Sequence, residues 1–309
     1  MLSICIPIYN CNVKKLTEEL YYQAGKQNIN YEIILIDDFS ENKIHTQNEL
    51  LKNADIRYIR LEKNIGRAKI RNFFLQYAQY EYLLFLDCDS QIVNDNFLKN
   101  YLSAINKNTE VICGGRIYKK IKTQKKYRLR YFYGIQRECI PAEIRNRNPY
   151  QSFMSNNFLI KKEILKKLPF NEKIKGYGHE DTLFGYRLKQ NSIAVLHIDN
   201  PAAHNFDENN REFLKKTEQA IKNLIFIYQN LTDKNFGEEV KLLRTYNNLK
   251  KLHFDIILRP AASFLSPIIK IILIKTGKTL FLFDIYKLFY LIKNVTKPAK
   301  IWKTTEFNG

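Results

Sequence analysis

The sequence predicts an α/β fold, a mostly parallel sheet flanked by helices, with a helical appendage towards its C-terminal end. Three observations predict it. Short apolar runs recur at residues 2–8, 32–36, 56–61 and 82–86, without the apolar–polar alternation of half-solvated strands. Helix-spaced segments lie between them, the β-α-β alternation of a parallel sheet with right-handed crossovers. Polar residues collect where three of the runs end: Tyr9 and Asn10, Asp37 and Asp38, Asp87 and Asp89. That edge of an open α/β sheet is where ligands bind.

The elements follow in order. Leu-Ser-Ile-Cys-Ile-Pro-Ile at residues 2–8 is the first strand, and residues 13–27 carry Leu16, Leu20 and Ala24 at helical spacing. Residues 32–36 and 56–61 are the next strands, Asn64-Ile65-Gly66 is a turn, and 67–79 is a helix. The fourth strand ends in Asp87. Beyond it, 111–118 and 152–161 read as strands and 162–168 as a short helix. Residues 119–130 are dense in Lys and Arg with interleaved tyrosines, a solvated basic loop or a segment with a specific role. Gly176-Tyr177-Gly178-His179-Glu180-Asp181 precedes a helix over 182–190, and a last strand at 193–198 leads to Pro201 and His204. Phe213, Ala220, Leu224 and Ile227 make 211–228 helical.

Residues 254–297 are strongly apolar, yet Arg259, Lys270, Lys275, Lys278, Lys287 and Lys293 interrupt them. Pro260 and Pro267 are expected to break this part into pieces. Within 279–294, Asp284, Lys287 and Asn294 fall near one stripe, and the remaining wide face is Leu, Phe, Ile and Tyr. That is an amphipathic helix with a cationic edge.

The 309 residues can bury a sizeable core, and their formal net charge of +19 calls for an anionic partner: nucleic acid, an anionic membrane surface or a phosphorylated substrate. Five cysteines, odd in number and without C-x-x-C spacing, read as reduced thiols of a cytosolic protein. A strand beginning at Leu2 leaves no room for a signal peptide. The uncharged stretches near the C-terminus are too short for an ordinary membrane-spanning helix.

Asp87-Cys88-Asp89 is the most informative motif. Residues i and i+2 of an extended segment point the same way. Two carboxylates on one side can hold a hard divalent cation, and the cation a diphosphate. Alone, D-x-D is common by chance. Cys88, facing the other way, is expected in the core, and His197 is expected to pack within its strand.

Ile6-Pro7-Ile8-Tyr9-Asn10, Ile36-Asp37-Asp38-Phe39-Ser40, Asn64-Ile65-Gly66-Arg67-Ala68, Asp87-Cys88-Asp89 and Gly178-His179-Glu180-Asp181 occur in that order. With these pieces the chain resembles the family 2 inverting glycosyltransferases of GT-A (Rossmann-like) fold, over roughly its first two thirds. The Gly-His-Glu-Asp stretch also looks like the acceptor motif of metal-dependent galactosyltransferase-type enzymes. The resemblance implies roles. Asp38 would hydrogen-bond the base of a UDP-sugar, with Pro7 and Tyr9 flanking the nucleoside. Gly66 and Arg67, at a helix start, would lie by the diphosphate. Asp87 and Asp89 would carry the metal, Mn2+ or Mg2+, and the ribose-phosphate side. His204 is a candidate third ligand, a nitrogen that favours Mn2+. Asp181 would be the general base and Glu180 would orient the acceptor hydroxyl.

The resulting expectation is a catalytic domain over 1–210, with a nucleotide-sugar half over about 1–105 and an acceptor half over about 106–210. A helical extension over 211–250 and amphipathic membrane-associating helices over 251–309 follow. The acceptor would be a glycan, lipid-linked, in surface polysaccharide synthesis. The enzyme would be cytoplasmic and peripheral on the inner face of the cell membrane. A homodimer or the catalytic domain is the alternative cover for the apolar helices. Nucleic acid is not a partner in this reading. A basic nucleic-acid-binding protein, suggested by the charge and the Tyr/Lys/Arg mixture near 118–133, is the runner-up. An inactive scaffold of the same fold is the third reading.

Overall fold

The computed structural model describes residues 1–119, 123–204, 208–233 and 235–295. Residues 120–122 of the basic segment and 296–309 of the C-terminal part lie outside the described residues.

Among the described residues ten strands are formed: β1 Leu2–Ile8, β2 Tyr31–Asp37, β3 Ile56–Arg60, β4 Tyr82–Leu86, β5 Ser90–Gln91, β6 Val111–Cys113, β7 Arg116–Ile117, β8 Asn157–Lys161, β9 Val195–His197 and β10 Ala202–His204. Seven make one sheet in the order β3-β2-β1-β4-β8-β6-β9, and three make a second in the order β5-β10-β7. The β3-β2-β1-β4 half is parallel throughout. β8 runs antiparallel to both of its neighbours, and β6 pairs parallel with β9.

The unalternating apolar runs are explained by burial on both faces. Ile4, Ile6 and Leu84 pack on Leu16 and Leu20 of the helix Lys14–Gly25. Cys5, Ile34 and Phe85 face the opposite way, onto Ile70 and Phe74. Each large side chain removed from water in these layers contributes roughly 1.5–3 kcal/mol.

The expected strand over 111–118 is two strands in different sheets. Gly115 sits at a φ of 89°, and a Cβ on Gly114 would lie 2.4 Å from the carbonyl oxygen of Asn200. The Gly-Gly pair therefore turns the chain out of the large sheet, a break that hydrophobic pattern cannot register. The helix expected over 67–79 ends at Phe73 and tightens into a 3-10 turn, Phe74–Gln76.

The chain forms two compact units. Unit 1 is Met1–Lys120, Gln136–Lys175 and Glu180–Asn205; unit 2 is Ile121–Ile135, Gly176–His179 and Phe206–Gly309. Unit 1 holds both sheets and unit 2 is helical.

In unit 2, the helix Asn210–Asn230 starts at a capping box. The Asn209 side chain accepts from the Glu212 N–H, and the Glu212 carboxylate accepts from the Asn209 N–H. Its Phe213 and Leu214 pack with Leu129, Ile269, Leu273, Phe283 and Tyr286. The helix Leu280–Asn294 thus buries Phe283, Tyr286, Leu291 and Ile292, and only Phe281 stays widely open, at 71% exposure. Protein covers most of the apolar face expected to meet lipid.

Pro260 and Pro267 do not divide the preceding segment, and Phe254–Thr276 is one helix through both. Its buried residues Ala262, Ser266, Ile269 and Leu273 recur every three or four positions. This continuous stripe of packing outweighs the backbone hydrogen bonds that two prolines remove. By length and composition, this 23-residue helix is apolar enough to cross a membrane. A count of uncharged stretches missed it, because the average over one unbroken helix absorbs isolated cations. Arg130 in the basic segment is buried, its guanidinium 5.2 Å from the Phe213 ring, so that segment is not solvated throughout.

Candidate active site at the strand ends

The loops after β1 and β2 are laced together. The Asn10 N–H donates to Ser40 Oγ at 2.8 Å, and the Glu41 N–H donates to Asn10 Oδ1 at 2.8 Å. Tyr9 and Phe39 stand open on these loops, 54% and 51% exposed, while Pro7 is half-buried in β1. Asp37 serves the framework, accepting from the Tyr58 hydroxyl and the Ser40 N–H. Asp38 is buried and accepts from the N–H groups of Ile65 at 2.6 Å and Gly66 at 3.0 Å. Burial pushes its carboxyl up, against those two donors. The residue expected at the base therefore also holds the turn that opens the helix Arg67–Phe73. A carboxylate offers about four lone-pair sites, so two backbone donors leave it acceptor capacity.

Asp87 is ringed by arginines. Arg71 Nη2 donates to its Oδ1 at 3.0 Å and Arg67 Nη2 to its Oδ2 at 3.4 Å, with Arg116 Nη2 3.7 Å from Oδ2. Arg67 and Arg71 also reach Glu180 Oε1, each at 3.7 Å. The strand end of β4 and the start of the helix Glu180–Gln190 are thereby one site. Glu180 is buried, and its Oε2 has no hydrogen-bond partner. Asp87 was expected among the metal ligands, but both its oxygens face guanidinium groups. A carboxylate this buried is stabilised by charged donors close at hand.

Asp89 faces β10. Its Oδ2 lies 3.2 Å from His204 Nδ1, which is buried and has no aligned hydrogen bond. Burial raises the Asp89 carboxyl, but the His204 imidazole, with Arg116 and Arg67, outweighs it and holds the carboxyl at about 2. Among the described residues, no three His, Cys, Asp or Glu side chains gather around one point. The Asp89 carboxylate and the His204 imidazole, brought together at 3.2 Å, nevertheless fit two protein ligands of a divalent ion. Such an ion usually takes its remaining ligands from substrate phosphates and water.

Asp181 follows Glu180 in the first turn of its helix and accepts from the Thr182 N–H at 2.7 Å. Burial and the adjacent Glu180 charge push its carboxyl up to about 6, against the Thr182 N–H, Arg71 and Arg67. A carboxylate poised near neutrality in a charged site suits proton transfer.

The model of the family described as Glycosyl transferase family 2 matches residues 3–170, more than half of the chain. The chain belongs to glycosyl transferase family 2. Chondroitin synthase of Escherichia coli is 26% identical over 259 residues, covering 71% of this chain and 36% of that protein. The chain thus spans little more than a third of that relative's length. Two solved structures share the fold. The mannosyltransferase PcManGT of Pyrobaculum calidifontis, in complex with GDP-Man and Mn2+, has a TM-score of 0.55 at 15% identity, over 96% of this chain and 87% of that one. Glucosyl-3-phosphoglycerate synthase of Mycobacterium tuberculosis, with Mg2+ and UDP, has a TM-score of 0.52 at 14% identity, over 74% and 78%.

Two arginines in this family 2 site escaped the sequence reading. Arg71 lies four residues after Arg67 on one helical face, a spacing that could have flagged it. Arg116 comes from β7, and its Nη1 donates to the Tyr118 hydroxyl at 3.2 Å and to Glu138 Oε2 at 3.4 Å. Nothing in the sequence near residue 116 or 138 announces that pairing, because it depends on the small sheet. His197, expected to pack, is buried in β9.

Proposed function

We propose that this family 2 chain moves a sugar from a UDP-sugar to a hydroxyl of a glycan acceptor, with inversion at the anomeric carbon, in the synthesis of a surface polysaccharide. One observation carries the reading. Arg67 and Arg71 bridge Asp87 to Glu180, joining a cationic strand-end cluster to a carboxylate, Asp181, held near 6.

Asp181 takes the proton of the acceptor hydroxyl as attack on the sugar proceeds, because an alcohol is a poor nucleophile until it loses that proton. Glu180, buried with an unpartnered oxygen, orients the hydroxyl. Arg67, Arg71 and Arg116 oppose the negative charge that grows on the departing diphosphate. Tyr9 and Phe39 flank the base, Asp38 accepts from it, and Gly66 borders the phosphates at the helix start. Asp89 and His204 would hold Mn2+ or Mg2+, which would supply Lewis-acid stabilisation to the leaving group.

The glycan acceptor is supported by the chondroitin synthase relative, since chondroitin is a polysaccharide. The acceptor is lipid-linked and the enzyme works on the inner face of the cell membrane. The helix Phe254–Thr276 supports this, with Ile256, Ile257, Phe264 and Ile271 exposed along it.

A screen of nucleotide sugars by thermal shift and hydrolysis, with and without Mn2+ or Mg2+, tests the proposal. A metal-dependent response to a UDP-sugar that Asp89→Ala abolishes is expected. A response to GDP-mannose alone would overturn the donor assignment. UDP affinity indifferent to metal, in wild type and variant alike, would remove the metal.

A further inference from the structure

β1 and β4 are adjacent and parallel, paired from Leu2 with Tyr82 to Cys5 with Phe85. Their exit loops leave the sheet side by side, and each carries a cysteine three residues or fewer past the strand end: Cys11 after β1, Cys88 after β4. The Cys11 thiol donates to the Cys88 carbonyl oxygen at 3.3 Å. The neighbouring Cys11 thiol, with burial, pushes the Cys88 thiol well up from the ordinary cysteine range, so Cys11 is the first to react. Both residues are half-buried, whereas Cys5 and Cys113 are sealed in the sheet, and no cysteine is in a disulfide. The proposed transfer uses neither thiol.

We propose that Cys11 and Cys88 are a redox modification site, closing to a disulfide when they meet a small oxidised disulfide such as oxidised glutathione, and that closure shuts the donor side of the site. The second half rests on the UDP-sugar reading. The Cys11 thiolate attacks one sulfur of oxidised glutathione, whose sulfur–sulfur bond breaks and releases one glutathione thiolate. The Cys88 thiolate then attacks the Cys11 sulfur of the mixed disulfide and expels the second. Both protein thiol protons end on the two glutathiones, so two thiols are oxidised and one disulfide reduced. Transient disulfides of this kind are the redox-sensing form found in reducing compartments.

Closure acts on the donor side through the peptide that carries both aspartates. The Asp87–Asp89 turn becomes tethered to the loop that presents Tyr9 and Asn10. Binding constellations tolerate displacement of only about 0.5 Å, and Asp87 and Asp89 flank the tethered residue on either side.

The experiment uses the full chain, incubated with oxidised glutathione, mapped by non-reducing peptide mass spectrometry, and assayed for UDP binding with Mn2+ before and after dithiothreitol. A Cys11–Cys88 crosslinked peptide is expected, with UDP affinity reduced on the order of tenfold and restored by the reductant. Cys11→Ser and Cys11→Ala should bind UDP as the reduced wild type does and be insensitive to the oxidant. Absence of the crosslink overturns the pairing. A crosslink with unchanged UDP affinity overturns the gating. If the reduced protein binds no UDP at all, the donor reading fails, and the peptide map still decides whether the thiols pair.

Discussion

Asp181 is a carboxyl pushed up to about 6 by burial and by the charge of Glu180. As the proposed base it must be ionised, so turnover should fall as pH falls through about 6 and level off above it. Asp181→Asn keeps the shape and the Thr182 contact but accepts no proton. Steady-state kinetics should show near-normal donor binding and a loss of turnover on the order of 10²-fold or more. Wild-type turnover in that variant would hand the role to another group. The placement of Asp89 at a strand end and of Asp181 in the first turn of a helix was legible from local motif. Arg71 and Arg116 were not, because a buried guanidinium looks like any surface arginine until its partners Asp87, Glu180 and Glu138 are in place.

At the level of elements, β9 illustrates how a histidine becomes framework. His197 Nδ1 lies 2.7 Å from Arg145 Nη1 and accepts a hydrogen bond from it, while Nε2 lies 2.9 Å from the Pro149 carbonyl and donates to it. The ring is therefore neutral. Burial lowers its pKa to about 4, assisted by Arg145 and opposed by the Pro149 carbonyl. In the unfolded chain the imidazole takes a proton below about 6.5. Between about 6.5 and 4 the unfolded state thus binds more protons than the folded one, and stability falls as pH falls through that window. The loss from this residue is at most about 3 kcal/mol. Urea titrations at pH 7 and pH 5 should register it, and His197→Gln should flatten that part of the slope. An unchanged slope in the variant would assign the acid sensitivity elsewhere. Such pairings also explain the short elements that pattern reading missed. β5 and β10 are two and three residues long and exist only through pairing in the small sheet, β10 meeting β5 from Ala203 with Gln91 to His204 with Ser90 and β7 on its other side.

For the whole molecule, the net charge of +19 and the helix Phe254–Thr276 point the same way. Phe254, Ile256, Ile257, Phe264, Leu265, Ile268, Ile271 and Ile272 are exposed on it, and each such side chain left in water forgoes roughly 1.5–3 kcal/mol of burial. Anionic vesicles offer both an apolar interior and an opposite charge. Sedimentation with such vesicles should show binding that salt weakens without abolishing, and Ile257→Asp with Phe264→Asp should reduce it while leaving the fold intact. A protein that ignores vesicles and dimerises with rising concentration would give that face to a second copy. Cutting the chain near residue 250 is a poorer test, because Ile269, Leu273 and Phe283 share one core with Phe213 and Leu214.

The sequence by itself determined the parallel half of the sheet, the strand ends that carry Asp38, Asp87 and Asp89, and the Glu180–Asp181 pair opening a helix. Those features depend on local periodicity and on residues adjacent in the chain, which a one-dimensional pattern records. Tertiary structure alone decided that Gly114 and Gly115 split one expected strand between two sheets, and that one helix runs through Pro260 and Pro267. It also decided that Arg67, Arg71 and Arg116 converge on Asp87. These outcomes are set by contacts between residues far apart in the chain, where packing and charge pairing outweigh local propensity.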